Sequence, residues 1–202
     1  MVFDPDTESV LRMQAKAALR TRLRALRNSI PEKARAARSQ RIVERVLASA
    51  PFARARVVGL FWPMLERSEV DVRPIEAAAR EKGKLVCYPF LQDEARMTLR
   101  LAESSSLEER GHGFAEPAEG ATEAEASEEL LVIDPALAVD PTGHRIGYGK
   151  GFYYALLARI CPPALALGMA YDFEVVPEVP RAQHDRAVDL VITDLRSWQI
   201  PR

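Results

Sequence analysis

Cysteine is nearly absent from this chain: Cys87 and Cys161 are the only two among 202 residues. They stand far apart and in no metal-ligand spacing, which excludes a disulfide framework and a cysteine zinc site and fits a reducing compartment. Histidine is scarce, with His112, His144 and His184. His112 and His144 fall in expected loops and carry no argument; His184 reads as a polar neighbour of Asp185. Aromatics make up 7% and do not interleave with a basic face, which counts against an RNA-binding module. No apolar run approaches the ~18–20 residues of a membrane span. Residues 1–9 are acidic and lack the apolar centre of a secretory leader. A cytoplasmic protein with no membrane partner is expected.

What is present is enough for a sizeable core. The chain is 48% hydrophobic and 28% charged, which excludes disorder as its main theme. Its length suits one domain over residues 1–202, with residues 1–9 as a disordered tail. The net charge of -1 hides an asymmetry. Val10 to Arg56 holds 13 Lys or Arg against Glu32 and Glu44; Leu101 to Asp134 holds ten acids against Arg110. The basic block suits nucleic acid, a polyphosphate or a solvated helix surface, and the solvated surface is the simpler reading.

Leu11, Ala15, Leu19, Leu23, Leu26 and Ile30 recur at spacings of three and four, predicting a first helix over about 8–27 with one apolar stripe. Arg12, Lys16, Arg20, Arg24 and Arg27 follow one residue on, about 100° around the helix, as a cationic ridge beside that face. Ser29 with Glu32 reads as a capping box opening a second helix that ends near Ser49. Strands are expected at 57–62, 84–88 (stopped by Pro89), 97–101, 130–133, 165–169 and 188–192, with helices at 72–81 and 152–160. Residues 103–129 read as an acidic surface loop. The alternation predicts an α/β fold: a three-layer, Rossmann-like, mostly parallel sheet with flanking helices, preceded by two N-terminal helices.

Residues 143–151 read Gly-His-Arg-Ile-Gly-Tyr-Gly-Lys-Gly. The segment follows a strand and opens a helix. Glycines allow close backbone approach, and a helix start offers free N–H groups and partial positive charge to an anion. Lys150 and Arg145 add full charges, so the segment reads as a phosphate cradle. It is no Walker A loop, because Gly151 follows Lys150 where Ser or Thr belongs. It also fails the dinucleotide pattern, since Phe152 stands where the third Gly belongs.

Gly143 to Tyr153 resembles the G-x-R-[LI]-G-x-G-x-G-[YF]-Y-D signature of the 5-formyltetrahydrofolate cyclo-ligase family. Lys16-Ala17-Ala18-Leu19-Arg20, the segment Pro63 to Pro74 with Glu69-Val70-Asp71, Gly113 to Pro117, and His184 to Asp189 resemble further family stretches in the same order. The resemblance implies an ATP- and Mg²⁺-dependent conversion of 5-formyltetrahydrofolate to 5,10-methenyltetrahydrofolate, and small-molecule partners (reduced folate and ATP) with no nucleic acid. A monomer is expected.

The resemblance also implies roles. Lys150 and Arg145 are the catalytic candidates, Arg145 with Asp140 as an alternative salt-bridge partner. Lys16, Arg20, Arg145, Gly147, Gly149, Lys150, Gly151 and Tyr153 would bind ATP. Glu69, Trp62 and Tyr153 would bind the folate, with core packing as the other reading for both rings. Asp185 would hold the metal. Arg12, Arg24 and Arg27 are left as surface. One position departs: the family's Asp after Tyr153 is Tyr154 here. A phenol with an ordinary pKa of about 10 cannot replace a carboxylate at neutral pH. Asp134, Asp140, Asp172 or Asp189 could compensate, or Mg²⁺ could lean on the nucleotide and water; otherwise a second reading stays open, a catalytically impaired relative that binds folate or nucleotide. A sugar-phosphate enzyme is a further alternative, without an evident base–acid pair near the glycines.

Overall fold

The computed structural model describes residues 5–93, 96–149, 151–182 and 185–201. Helices α1 (Pro5–Ser29), α2 (Glu32–Leu47) and α3 (Ala50–Arg54) come first. Strands β1 (Val57–Gly59) and β2 (Leu85–Leu91) flank α4 (Arg73–Glu81) in sequence, and β3 (Met97–Leu101) follows. Next come β4 (Glu108–Glu109), β5 (Ala115–Glu116), β6 (Leu130–Pro135), β7 (Ala138–Val139) and β8 (Arg145–Ile146). The chain closes with α5 (Phe152–Ile160), β9 (Leu165–Met169), β10 (Leu190–Ile192) and β11 (Ser197–Gln199).

Seven strands form one sheet in the order β11-β10-β9-β6-β1-β2-β3. The five central strands are parallel; β3 and β11 are antiparallel edges. Strand alternation sends Val58, Val86, Tyr88, Leu131 and Ile133 to one face, against Ile42, Val46, Ile75 and Ala79 of α2 and α4. Cys87, Leu130, Val132 and Ala166 go to the other face, against Leu156, Leu157 and Ile160 of α5. The three-layer α/β expectation therefore holds. Both cysteines are free and buried. Among the described residues no helix is long and apolar enough to cross a membrane.

Several local expectations need correction. Residues 5–9, expected within a disordered tail, open α1. α1 is turned so that Arg12, Lys16, Leu19, Arg20, Leu23 and Arg27 face inward, while Leu11 and Leu26 of the apolar stripe are exposed. The cations win because they find partners: Arg27 donates to Glu174 at 2.6 Å and to the Ala136 carbonyl at 2.8 Å. Ser29 does not cap α2; its hydroxyl donates to the Leu26 carbonyl, and Pro31 holds the N-cap position. β2 runs through Pro89 instead of stopping there. β1 pairs only as far as Cys87, and Leu91, of the same parity, sends its N–H away from β3 to Glu116. The missing N–H of Pro89 therefore costs no ladder bond. The acidic segment is not featureless: β4 and β5 pair within it, and Glu116 is fully buried.

Candidate active site

The chain reverses its direction of travel across the sheet between β1 and β6, and ligands of open α/β sheets bind beyond the strand ends at such a switch point. A cavity of about 1130 Å³ opens there. That exceeds the ~300–1,000 Å³ common for one small ligand. The segment after β1 supplies Phe61, Trp62, Met64, Arg67 and Glu69; the last two residues of β6 are Asp134 and Pro135; α1 lends Lys16, Arg20 and Arg24.

One end is built for an anion. Gly151, the N-cap of α5, is left-handed (φ 77°) and no side chain caps the helix, so its first N–H groups remain available. Gly149 has φ 110°, and a Cβ there would come 3.3 Å from the Arg20 guanidinium carbon. Glycine lets Arg20 lie on the loop, where its Nε donates to the Gly147 carbonyl at 2.9 Å. Lys16 Nζ donates to Asp185 at 2.7 Å. Arg145 is buried and ion-paired to Asp134, not to Asp140. Asp140 instead accepts from Thr142, His144 and Val179 backbone N–H groups. Arg145 Nη1 donates to the Arg186 carbonyl at 2.7 Å, and buried Nη2 has no hydrogen-bond partner among the described residues. Burial pushes the Asp134 carboxyl up, against the pull of Arg145. Lys150 and His184 lie outside the described residues.

The other end is apolar with two polar anchors. Glu69 is buried; its Oε2 accepts the Met64 N–H at 2.8 Å while Oε1 has no hydrogen-bond partner among the described residues. Burial raises its carboxyl above the usual range, opposed by the Met64 N–H, Tyr148 and Arg27. The Tyr153 hydroxyl is likewise buried with no hydrogen-bond partner among the described residues, and burial holds it well above the usual phenol value. Trp62 lines the cavity and also packs on the core.

A protein-held Mg²⁺ does not fit this donor set. Among the described residues no three His, Cys, Asp or Glu gather. Asp185 already accepts from Lys16 and from the Ala182 N–H at 2.9 Å. Tyr154, with its phenol pushed up to about 12 by burial, is neutral and stacks between cations, Arg145 at 4.6 Å and Lys16 at 5.5 Å from its ring centre.

Residues 12–194 match the profile of the 5-formyltetrahydrofolate cyclo-ligase family. The chain belongs to that family. A 5-formyltetrahydrofolate cyclo-ligase of Mus musculus is 29% identical over 192 residues, covering 88% of this chain and 90% of the relative. One of Mycolicibacterium smegmatis is 30% identical over 189 residues, covering 91% and 95%. The solved structure of Aquifex aeolicus 5,10-methenyltetrahydrofolate synthetase superposes with a TM-score of 0.79 at 26% identity over 93% of each chain.

Within this cyclo-ligase the cavity brings together Lys16, Arg20, Arg145, Gly147, Gly149, Gly151, Tyr153, Trp62, Glu69 and Asp185. Sequence reasoning offered Asp134, Asp140, Asp172 and Asp189 alike as carboxylates to compensate for Tyr154 and missed that only Asp134 of these lines the cavity, for which its place near the end of a strand beside the switch point was the available signal. It also missed Arg24 and Arg67, which flank the Tyr148 ring at 5.2 and 5.5 Å. Arg24 was read as surface, yet it lines the cavity, and Arg27 was read as surface, yet it is buried.

Proposed function

We propose that this chain uses ATP to close 5-formyltetrahydrofolate to 5,10-methenyltetrahydrofolate, releasing ADP and phosphate. The observation that carries the reading is one cavity with an uncapped, cation-lined helix start at one end and, at the other, the Glu69 Oε1 and the Tyr153 hydroxyl, which have no hydrogen-bond partner among the described residues. Lys16, Arg20, Lys150, the Arg145 Nη2 and the α5 N–H groups hold the ATP phosphates by charge and hydrogen bonding. Glu69 accepts from the N–H edge of the pterin, and Tyr153 and Trp62 fix its plane. A formamide carbon is a poor electrophile; phosphorylating its oxygen makes a leaving group, and the neighbouring N10 then closes the ring. Such chemistry needs alignment and charge neutralisation rather than a protein nucleophile. Lys150 and Arg145 are the catalytic assignments. Mg²⁺ travels with the nucleotide, since Asp134 and Asp185, the carboxylates near the helix start, are already engaged.

We further propose a cytoplasmic monomer without nucleic-acid or membrane partners; the basic face of α1 turns inward, to Asp185, Gly147 and Glu174. The test is spectrophotometric: methenyltetrahydrofolate forms from the 5-formyl compound only when ATP and Mg²⁺ are both present. ATP or folate binding without turnover would favour the impaired-relative reading, for which Tyr154 is the specific observation.

Tyr154→Asp is expected to lower the Mg²⁺ concentration for half-maximal turnover. It puts a carboxylate between Arg145 and Lys16 where a neutral ring now sits, and oxygen donors suit a hard cation. Thermal melts check that loss of the ring leaves the fold intact. An unchanged Mg²⁺ dependence in a well-folded variant would refute the expectation.

A further inference from the structure

We propose that His112 is a catalytic residue: its Nε2 takes the proton that N10 loses as the ring closes. The assignment rests on the cyclo-ligase reading above and goes beyond it, because neither nitrogen of His112 enters the phosphate or pterin contacts.

The geometry begins in the acidic segment. Glu116 is wholly buried on β5, and its two oxygens have separate tasks: Oε1 accepts the Leu91 N–H at 2.7 Å, and Oε2 meets His112 Nδ1 at 2.6 Å. A carboxylate held by a backbone N–H accepts from the imidazole, so Nδ1 carries the hydrogen and Nε2 keeps its lone pair. No partner for Nε2 is found among the described residues. The ring lines the cavity next to Phe114, with ring centres 6.2 Å apart, and its side chain is 38% exposed, so a proton received there can leave to water. The charged groups around it are Glu116, Glu109, whose carboxylate accepts from Gly111 and Gly113, and Arg110, which pairs with Glu119.

The other groups around the cavity are poor acceptors. Asp134 and Asp185 are paired with Arg145 and Lys16. Tyr153 and Tyr154 are held as neutral phenols by burial. Glu69 is committed to the pterin edge. Exposed Glu66 lines the cavity too, and it serves as the control. The step balances. The N10 lone pair forms the new C–N bond to the formyl carbon, the N10 proton passes to Nε2, and the C–O bond breaks with its electron pair leaving on phosphate. A buried carboxylate behind the imidazole fixes its tautomer and steadies the imidazolium, as general-base arrangements require.

The experiment compares wild type, His112→Phe, His112→Ala and Glu66→Gln in the methenyltetrahydrofolate assay across pH. Wild type should lose kcat on the acid side, where imidazolium cannot accept a proton. His112→Phe should drop kcat by about 10²-fold, with little change in KM, and lose that acid limb. Added imidazole should restore turnover to His112→Ala but not to His112→Phe, a response that a packing role would not give. Glu66→Gln should keep the limb. An acid limb and rate that survive His112→Phe, or that vanish with Glu66→Gln, overturn the assignment while leaving the cyclo-ligase reading intact. Absence of turnover in wild type overturns both.

Discussion

Arg145→Met should cost the fold about 3–5 kcal/mol and lower the melting temperature by roughly 2–4 °C for each of these. The reason is Asp134. It is fully buried, its ion-pair partner is Arg145, and burial already raises its carboxyl. Removing the guanidinium strands that carboxylate and also orphans the Arg186 carbonyl, which accepts from Nη1. The pH dependence has a definite sign. With its partner gone, Asp134 has a folded-state pKa raised further above the unfolded value. Its contribution is then favourable below the unfolded value and is lost as pH rises. The gap between variant and wild type should therefore narrow on acidification and widen toward neutrality.

The double variant Arg145→Met with Asp134→Leu separates structure from chemistry. Replacing both buried charges should recover most of the stability, as replacement of whole buried ion pairs often does. ATP affinity should stay low, because the unpartnered Nη2 offered to phosphate is gone. Denaturant melts and calorimetric ATP titration read the two effects. A double variant that binds ATP like wild type would make Arg145 a purely structural residue.

The same residue marks where sequence reading stopped. Gly143 to Tyr153 was legible because its chemistry is local: spacing along the chain places glycines and cations at a helix start, and α5 begins at Phe152 as expected. The strands at 97–101 and 165–169 were also legible, since alternation and bounding turns lie within each run. The facing of α1 was not. Arg27 meets Glu174 147 positions away, and Lys16 meets Asp185 169 positions away. Helical periodicity sees only which residues share a face, so it preferred the leucines for the buried side. Composition and periodicity do not distinguish Glu116, buried under β2, from the solvated glutamates around it; only the resemblance of Gly113 to Pro117 marks the stretch, and the bond that buries it comes from a backbone N–H of another strand. His112 was passed over for the same reason. Antiparallel β11 was missed because Ser197–Gln199 is too short to show a period.

Glu69→Gln should stabilise the protein while disabling it. Glu69 is 5% exposed, and its Oε1 is buried with no hydrogen-bond partner among the described residues. Burial raises its carboxyl although Met64, Tyr148, Arg27 and Arg67 all pull it down. A raised folded-state pKa means that the group favours folding below its unfolded value and opposes it as pH rises. At neutral pH the ligand-free enzyme therefore bears the cost of an underpaired carboxylate, about 1–3 kcal/mol for such a group. Gln keeps the shape and can still accept from the Met64 N–H, so the variant should melt higher at pH 7. The gain should disappear below about pH 4, where the wild-type carboxyl is itself neutral. Folate pulls the other way. A carboxylate accepting from the pterin N–H edge makes bonds to a charged group, worth about 1.5–3 kcal/mol each. Replacing its second acceptor by an NH₂ leaves two donors face to face. The dissociation constant for 5-formyltetrahydrofolate should rise by about 10²-fold or more, with ATP affinity unchanged. A variant that melts lower than wild type and still binds folate normally would show that Glu69 serves the fold alone, because the cost of burying its charge would then be met within the protein and not by the ligand.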